Sequence, residues 1–447
     1  MGETIWDKYL KLQPVCSCGR IHKCNIRDIL IEEDAVKKLP EIINKYGYKQ
    51  ICIVCDLNTL EVAGKSVYSV LESAGISYDK VLFGERELVP DEDAIVHLLT
   101  GVPNDCDLLV GVGSGTINDL CRYISYKMKI DYFIVATAPS MDGYASSGSP
   151  LIVKHLKTTF NVCAPKGIIG DLNILVQAPV EMIAAGIGDI IGKCVCLTDW
   201  KIANLINGEY ICNEVVEMVE GSMIKVLHCA EDAVAGKKSA IQTVMEGLIL
   251  TGIAMSFVGN SRPASGSEHH LSHYWEMMFL LEGRKDPLHG AKVGIGTVAS
   301  IRLYEMLKEV FQERREMQKE PFDYEAWKIE IQNVYGLATE SVLDLERKTN
   351  KNGDEKVKNH CQMLEERRND ILSIIEALPD ADEVMKMLKN IHAPYHPKQI
   401  GVSKEIFYNS IVYAKEVRNR FGLLQILYDL GVAREFASRL AIELYDE

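Results

Sequence analysis

Val110-Gly111-Val112-Gly113-Ser114-Gly115-Thr116-Ile117-Asn118-Asp119 joins a buried strand pattern at residues 108–112 to a helical pattern at residues 118–128. A strand that runs into glycines and then a helix brings backbone N–H groups and the positive end of a helix dipole to one point. That arrangement suits a diphosphate. The glycines are spaced GxGxG, so the turn departs from the usual dinucleotide fingerprint. Ser114 and Thr116 add hydroxyl donors, and Asn118 and Asp119 are placed to cap the helix. A tight turn without a ligand is the other reading of the same residues.

Working outward, residues 50–55 (QICIVC), 79–83, 108–112 and 133–136 read as short strands. Helical patterns at 60–74, 92–100 and 118–128 alternate with them. This alternation predicts a parallel sheet with helices on its faces. Residues 167–171 and 174–176 are expected to add a last pair of strands. From residue 177 onward helical periods dominate, at 180–206, 213–231, 239–258, 268–281, 303–348 (broken near Pro321 and Asp323), 354–378 and 404–420. The expected organisation is an α/β dinucleotide-binding domain over residues 1–176, followed by an all-α metal and substrate domain over 177–447.

The chain of 447 residues carries a formal net charge of -14, which argues against a nucleic-acid surface. A small anionic substrate is still compatible, because a local site can oppose the global charge. The apolar run at 247–258 is too short to span a membrane and contains Thr251 and Ser256. Residues 1–12 carry Glu3, Asp7 and Lys8 and no apolar signal core. The protein is therefore expected to be cytoplasmic, with its 13 cysteines as reduced thiols.

Further constellations bear on chemistry. Asp56 ends the first clear strand, where an acid accepts hydrogen bonds from a ribose diol and repels a 2′-phosphate, favouring NAD over NADP; a helix N-cap is the competing reading. The small, hydroxylated run from Ala136 to Ser149, with Asp142 as its carboxylate, is suited to lining a cofactor or a polyol substrate, or is a polar surface loop. Ser265-Gly266-Ser267-Glu268-His269-His270-Leu271-Ser272-His273 places three histidines in five residues, and His269 and His273 share one helix face. His289 follows a turn around Pro287. Two imidazoles and a carboxylate suit a catalytic divalent metal with an open position; a polar helix surface is the alternative. Asp189 is the candidate carboxylate, since it interrupts an apolar, glycine-rich helix where a lone charge is costly; it also sits four residues before Lys193, a possible ion-pair partner. Cys16, Cys18, His22 and Cys24 have zinc-like content, but the spacing is tight and no second pair of ligands follows.

The GVGSGTIND turn, the TAPSMDGYASSGSP loop, the GIGD element and SRPASGSEHHLSH followed by LHG together resemble the sn-glycerol-1-phosphate dehydrogenases. Their bacterial AraM-like branch is the most similar, within the iron-dependent alcohol dehydrogenase and dehydroquinate-synthase-like superfamily. The resemblance spans residues 25 to 300. It implies reversible reduction of dihydroxyacetone phosphate to sn-glycerol 1-phosphate by NAD(P)H, with one divalent metal, zinc or nickel. It implies metal ligands Asp189, His269 and His289. It implies cofactor contacts from Asp56, from Gly113, Ser114, Gly115, Thr116, Ile117, Asn118 and Asp119, and from Thr137, Ala138, Pro139, Ser140 and Ser146. Asp142, Asp189 and His273 would meet the substrate, with Asp142, His273 or a metal-ordered water as proton donor, and Lys193, Arg262 or Lys292 are candidates for the phosphate. A homodimer or higher homo-oligomer is expected. A glycerol or other polyol dehydrogenase, a dehydroquinate-synthase-like enzyme and a non-catalytic metal- or nucleotide-binding protein are the alternatives.

Overall fold

In the computed structural model, which describes residues 5–10, 15–85, 87–154, 156–313 and 321–446, the centre of the sheet is built on strands with no exposed residue. The eight strands are β1 (Asp28–Glu32), β2 (Ile51–Asp56), β3 (Tyr78–Phe83), β4 (Leu108–Gly113), β5 (Asp131–Ala136), β6 (Gly148–Val153), β7 (Leu156–Asn161) and β8 (Gly167–Asp171). Every residue of β4 and β8 is buried, as strands covered by helices on both faces must be. Six strands form one parallel sheet in the order β1-β8-β5-β4-β2-β3. The chain leaves β2 for β3 on one side and returns to β4 on the other. The strand order therefore reverses between β2 and β4, the place where open α/β sheets bind ligands beyond their carboxyl ends. Val54 pairs with Gly111 and Gly113 with Ala136, so Asp56, Gly113 and Ala136 end in one row.

The expected α/β half with a parallel sheet and the helical remainder are both present; among the described residues no strand follows β8. Several elements differ in detail. Residues 174–176 are not a strand. The Asp171 carboxylate accepts from the Asn173 N–H at 3.0 Å and starts a helix, Leu172–Leu175, in their place. β1, and the antiparallel hairpin β6–β7 after the hydroxylated loop, are additional. The helix expected over 180–206 is two, Val180–Ile191 and Lys193–Asn207, parted at Gly192. The helix expected from residue 303 begins earlier and spans His289–Glu313. Residues 314–320 of that span lie outside the described residues, and Tyr324–Tyr335 and Thr339–Thr349 follow. Residues 1–4 and 11–12 of the N-terminal stretch also lie outside them.

The chain divides into two compact units: residues 1–190 with 213–261, and 191–212 with 262–447. The sequence changes character near residue 176, whereas the first unit also takes in the helix pair Asn213–Val234 and Lys238–Val258. The second of these helices is long and apolar enough to cross a membrane, and 61% of its most apolar window is buried inside the protein. Its Gly252 faces Ala145, where an added Cβ would meet the Ala145 backbone at 3.0 Å. The helix therefore packs as a core element of the first unit. The second unit is a helical assembly that includes the histidine-bearing helices Ser267–Leu281 and His289–Glu313.

Candidate active site

The glycine turn is shaped by close packing. A Cβ on Gly113 would sit 2.6 Å from the Ile117 Cβ, and one on Gly111 would sit 2.9 Å from the Cys121 Sγ. These two glycines let the helix Gly115–Met128 lie directly against β4. Gly115, at the first turn of that helix, is different: a Cβ there meets nothing nearer than the Met141 Cε at 3.8 Å. The helix N-terminus is thus open at its first residue, with Ser114 preceding it. Asp56 forms a capping box: its Oδ1 accepts from the Thr59 N–H at 2.8 Å, and its own N–H donates to the Thr59 Oγ1 at 3.0 Å. The N-cap reading of Asp56 is realised at the end of β2, level with the glycine turn.

Asn118 and Asp119 turn toward the protein. The Asn118 Nδ2 donates to the Gly143 carbonyl at 3.3 Å. Asp119 pairs with the fully buried Arg122 at 2.6 Å, and Arg122 also donates to the Gly148 carbonyl at 2.7 Å and the Tyr132 hydroxyl at 3.0 Å. Burial raises the Asp119 carboxyl to about 6, against the pull of the Arg122 guanidinium. Arg122 is therefore the strut that holds the hydroxylated loop over the helix, a role with no local signature. The loop itself is clamped: the Thr137 N–H donates to the Gly113 carbonyl at 3.2 Å, the Tyr144 hydroxyl donates to the Ala138 carbonyl at 2.6 Å, and the Ser146 Oγ accepts from the Gly148 N–H at 2.9 Å. Pro139 lies so close to the helix Val180–Ile191 that a Cβ on Gly186 would be 1.9 Å from its carbonyl oxygen. Ser140 is buried within this loop.

Asp142 and Asp189 meet in the same unit. The Asp142 N–H donates to the Asp189 Oδ2 at 2.9 Å, and Asp189 is fully buried. One backbone donor orients this carboxylate.

In the second unit the rings of His269, His273 and His289 form a triangle with centroid separations of 6.0, 5.2 and 5.7 Å. His269 and His289 offer ring nitrogens within 4.8 Å of each other. The His269 Nδ1 lies 2.6 Å from the Glu268 Oε1, which assigns the proton to Nδ1 and leaves Nε2 as the donor atom for a metal. The His273 Nδ1 lies 3.2 Å from the Glu276 Oε2. His270 is not among the clustered metal-donor residues. Burial holds its imidazole well below the usual range, and the charges of Arg420, Arg418 and Lys351 push the same way.

Asp199 fixes the start of the histidine helix, accepting from the Ser267 N–H and Oγ at 2.7 Å each and from the Leu423 N–H at 2.9 Å. Its contribution comes from residues far apart in sequence and has no local motif. The three cations considered for a phosphate hold protein groups: the Lys193 Nζ donates to the Ala264 carbonyl at 3.0 Å, Arg262 to Glu209 at 2.6 Å and the Phe421 carbonyl at 2.9 Å, and Lys292 to Glu276 at 3.4 Å and to Asp286. Arg418 and Arg420, unremarked in the sequence, gather beside His270. The Arg420 Nη1 donates to the Ser265 carbonyl at 2.8 Å. Burial lowers Arg420 to about 9, and repulsion from Arg418 and Arg262 adds to the effect.

Comparison with known proteins agrees with this layout. The family model described as "Iron-containing alcohol dehydrogenase" matches residues 30–179. The chain is 32% identical to a glycerol-1-phosphate dehydrogenase [NAD(P)+] of Geobacillus thermodenitrificans over 96% of this chain and 98% of that protein. It is 32% identical to the protein so named in Halalkalibacterium halodurans over 92% and 95%. Among solved structures, glycerol dehydrogenase from Schizosaccharomyces pombe shares the fold at 16% identity, with a TM-score of 0.60 over 94% of this chain and 91% of that one. The near-complete span of the first two matches, laid over a sheet, glycine turn and histidine triangle of this kind, makes the chain a member of the glycerol-1-phosphate dehydrogenase family, within the iron-containing alcohol dehydrogenase superfamily.

Proposed function

We propose that this chain catalyses the reversible, NAD(P)H-dependent reduction of dihydroxyacetone phosphate to sn-glycerol 1-phosphate. The metal is one zinc or nickel ion on Asp189, His269 and His289. The observation that carries this reading is the 32% identity to glycerol-1-phosphate dehydrogenases over nearly the whole chain. The donor set supports it: a buried carboxylate with one oriented oxygen, and two imidazoles with converging nitrogens. Such a set suits a catalytic divalent ion with an open position.

A metal on these ligands supplies Lewis-acid polarisation of the substrate carbonyl, and a bound nicotinamide supplies the hydride. The remaining work belongs to the chain. The open first turn at Gly115, with Gly113, Ser114, Thr116 and Ile117, receives the cofactor diphosphate. Asn118 and Asp119 act there by shaping the turn, and Thr137, Ala138, Pro139, Ser140 and Ser146 by lining the cofactor. Asp56 faces the ribose and disfavours a 2′-phosphate, so NADH is preferred. Glu268 holds His269 in the tautomer that offers Nε2. Asp142 and His273 meet the substrate and hold the proton that the new hydroxyl requires. His273 suits this role because its side chain stays 19% exposed and its Nδ1 is oriented by Glu276. Arg418 and Arg420 receive the phosphate, a dianion that relieves the repulsion between them.

NADH oxidation with dihydroxyacetone phosphate in the presence of zinc or nickel tests this reading. A much higher kcat/KM for unphosphorylated glycerol would select the polyol dehydrogenase instead.

A further inference from the structure

We infer that Cys16, Cys18 and His22, with Cys212 as the fourth ligand, form a second, structural zinc site remote in role from catalysis. Residues 15–21 make a tight hairpin. Val15 and Ile21 pair as an antiparallel bridge, the Cys16 N–H donates to the Arg20 carbonyl at 2.9 Å, and the Gly19 N–H donates to the Cys16 carbonyl at 2.8 Å. Gly19 takes a φ of 82°, which a side chain would strain, and so reverses the chain just after Cys18. The ligand atoms of Cys16, Cys18 and His22 lie within 4.8 Å of one another.

Three details point to a tetrahedral ion. The Cys18 Sγ to His22 Nε2 distance is 3.5 Å. Bonds of about 2.3 Å to sulfur and about 2.0–2.1 Å to nitrogen, at tetrahedral angles, put those two atoms about 3.5 Å apart. The His22 Nδ1 is 3.2 Å from the Phe257 carbonyl, and its ring stacks on Phe257 at 5.1 Å. That fixes the tautomer and leaves Nε2 for the metal. The Cys18 N–H points at the Cys16 Sγ at 3.4 Å, a bond that favours the thiolate.

Cys24, grouped with these residues by sequence, is not among the clustered donors; burial pushes its thiol up. The fourth ligand comes from far along the chain. The Ser17 Oγ donates to the Glu214 Oε1 at 3.1 Å, and the Ser17 N–H donates to the same oxygen at 3.4 Å. The hairpin is thereby tied to the first turn of the helix Asn213–Val234. Cys212 is the residue immediately before that helix, two residues from Glu214, a span of about 7 Å of chain at most. No cysteine of the chain is in a disulfide. A Cys3His set of this kind is closed, as structural zinc sites are. Binding would release the three thiol protons to solvent.

The test is cobalt substitution of the full chain, expressed in cobalt-supplemented medium. A thiolate-to-cobalt charge-transfer band is expected in wild type and in His269→Ala, because the Asp-His-His donor set contains no sulfur. The band is expected to be lost in Cys18→Ser and weakened in Cys212→Ser. Cys18→His retains a ligand and is expected to fold, bind cobalt and show a reduced band, so the assignment stays testable if the serine variant fails to fold. Absence of the band in wild type would overturn the site, as would its disappearance in His269→Ala. A Cys212→Ser band at wild-type intensity would overturn the fourth ligand.

Discussion

The Glu268 Oε1 lies 2.6 Å from the His269 Nδ1, and the same oxygen accepts from the Gly266 N–H at 2.8 Å. The carboxylate is fully buried and held by the backbone that begins the histidine helix. Glu268 therefore positions the His269 imidazole. Glu268→Gln is expected to weaken metal binding by about 10–100-fold, the usual effect of losing such an outer partner. A metal titration read by bound-metal analysis checks this; unchanged affinity with full activity would remove Glu268 from the site.

The glycine turn separates packing from binding. Gly113→Ala puts a methyl 2.6 Å from the Ile117 Cβ and is expected to cost about 1–3 kcal/mol of stability. The Cβ of Gly115→Asp meets no atom nearer than the Met141 Cε at 3.8 Å. A negative charge in the first helical turn favours the helix by about 0.3–1 kcal/mol. Its Tm is expected to be at least that of wild type while KM for NADH rises tenfold or more. Equal KM values would show that the diphosphate does not sit at this N-terminus.

Arg418 and Arg420 are expected to act on substrate binding. Arg418→Ala and Arg420→Ala should raise KM for dihydroxyacetone phosphate while leaving KM for NADH near its wild-type value. Steady-state kinetics with each substrate varied in turn separates the two. A change confined to the NADH term would place these arginines elsewhere.

A few charges of the C-terminal part are internal, Glu346, Lys351, Lys415 and Glu416 among them. Glu416 accepts from the Asn352 Nδ2 at 3.0 Å, faces Lys351 at 3.5 Å and pairs with Lys415. Burial alone would raise this carboxyl, but Lys415 and Lys351 bring it down to about 2, against an ordinary value of 4.5. A folded value below the unfolded one gives a contribution present above pH 4.5 and lost as the pH falls toward 2. Glu416→Gln leaves two buried ammonium groups without their carboxylate and is expected to cost about 3–5 kcal/mol at pH 7. Calorimetry at pH 7 and pH 3 should show the gap between variant and wild type narrowing in acid; equal Tm values at pH 7 would contradict the network.

The sequence made the parallel sheet legible because β2, β4 and β5 are continuous apolar runs, each followed by turn residues. β1 is less legible because Ile29 and Ile31 alternate with half-buried neighbours over only five residues. The β6–β7 hairpin was hidden by the small polar residues that lead into it. Among site residues, the histidines were visible as a cluster in one stretch of chain. Arg122, Asp199, Arg418 and Arg420 were not, because each acts through partners far away in sequence. The zinc-like run at Cys16 showed the same limit: its fourth ligand cannot be read from local spacing.

The most direct measurement is NADH oxidation driven by dihydroxyacetone phosphate in nickel- or zinc-loaded protein, compared with His269→Ala of matched folding. The account predicts turnover in wild type that depends on the substrate phosphate and falls by several orders of magnitude in the variant. Absence of turnover with any divalent metal, or equal turnover in His269→Ala, would contradict it.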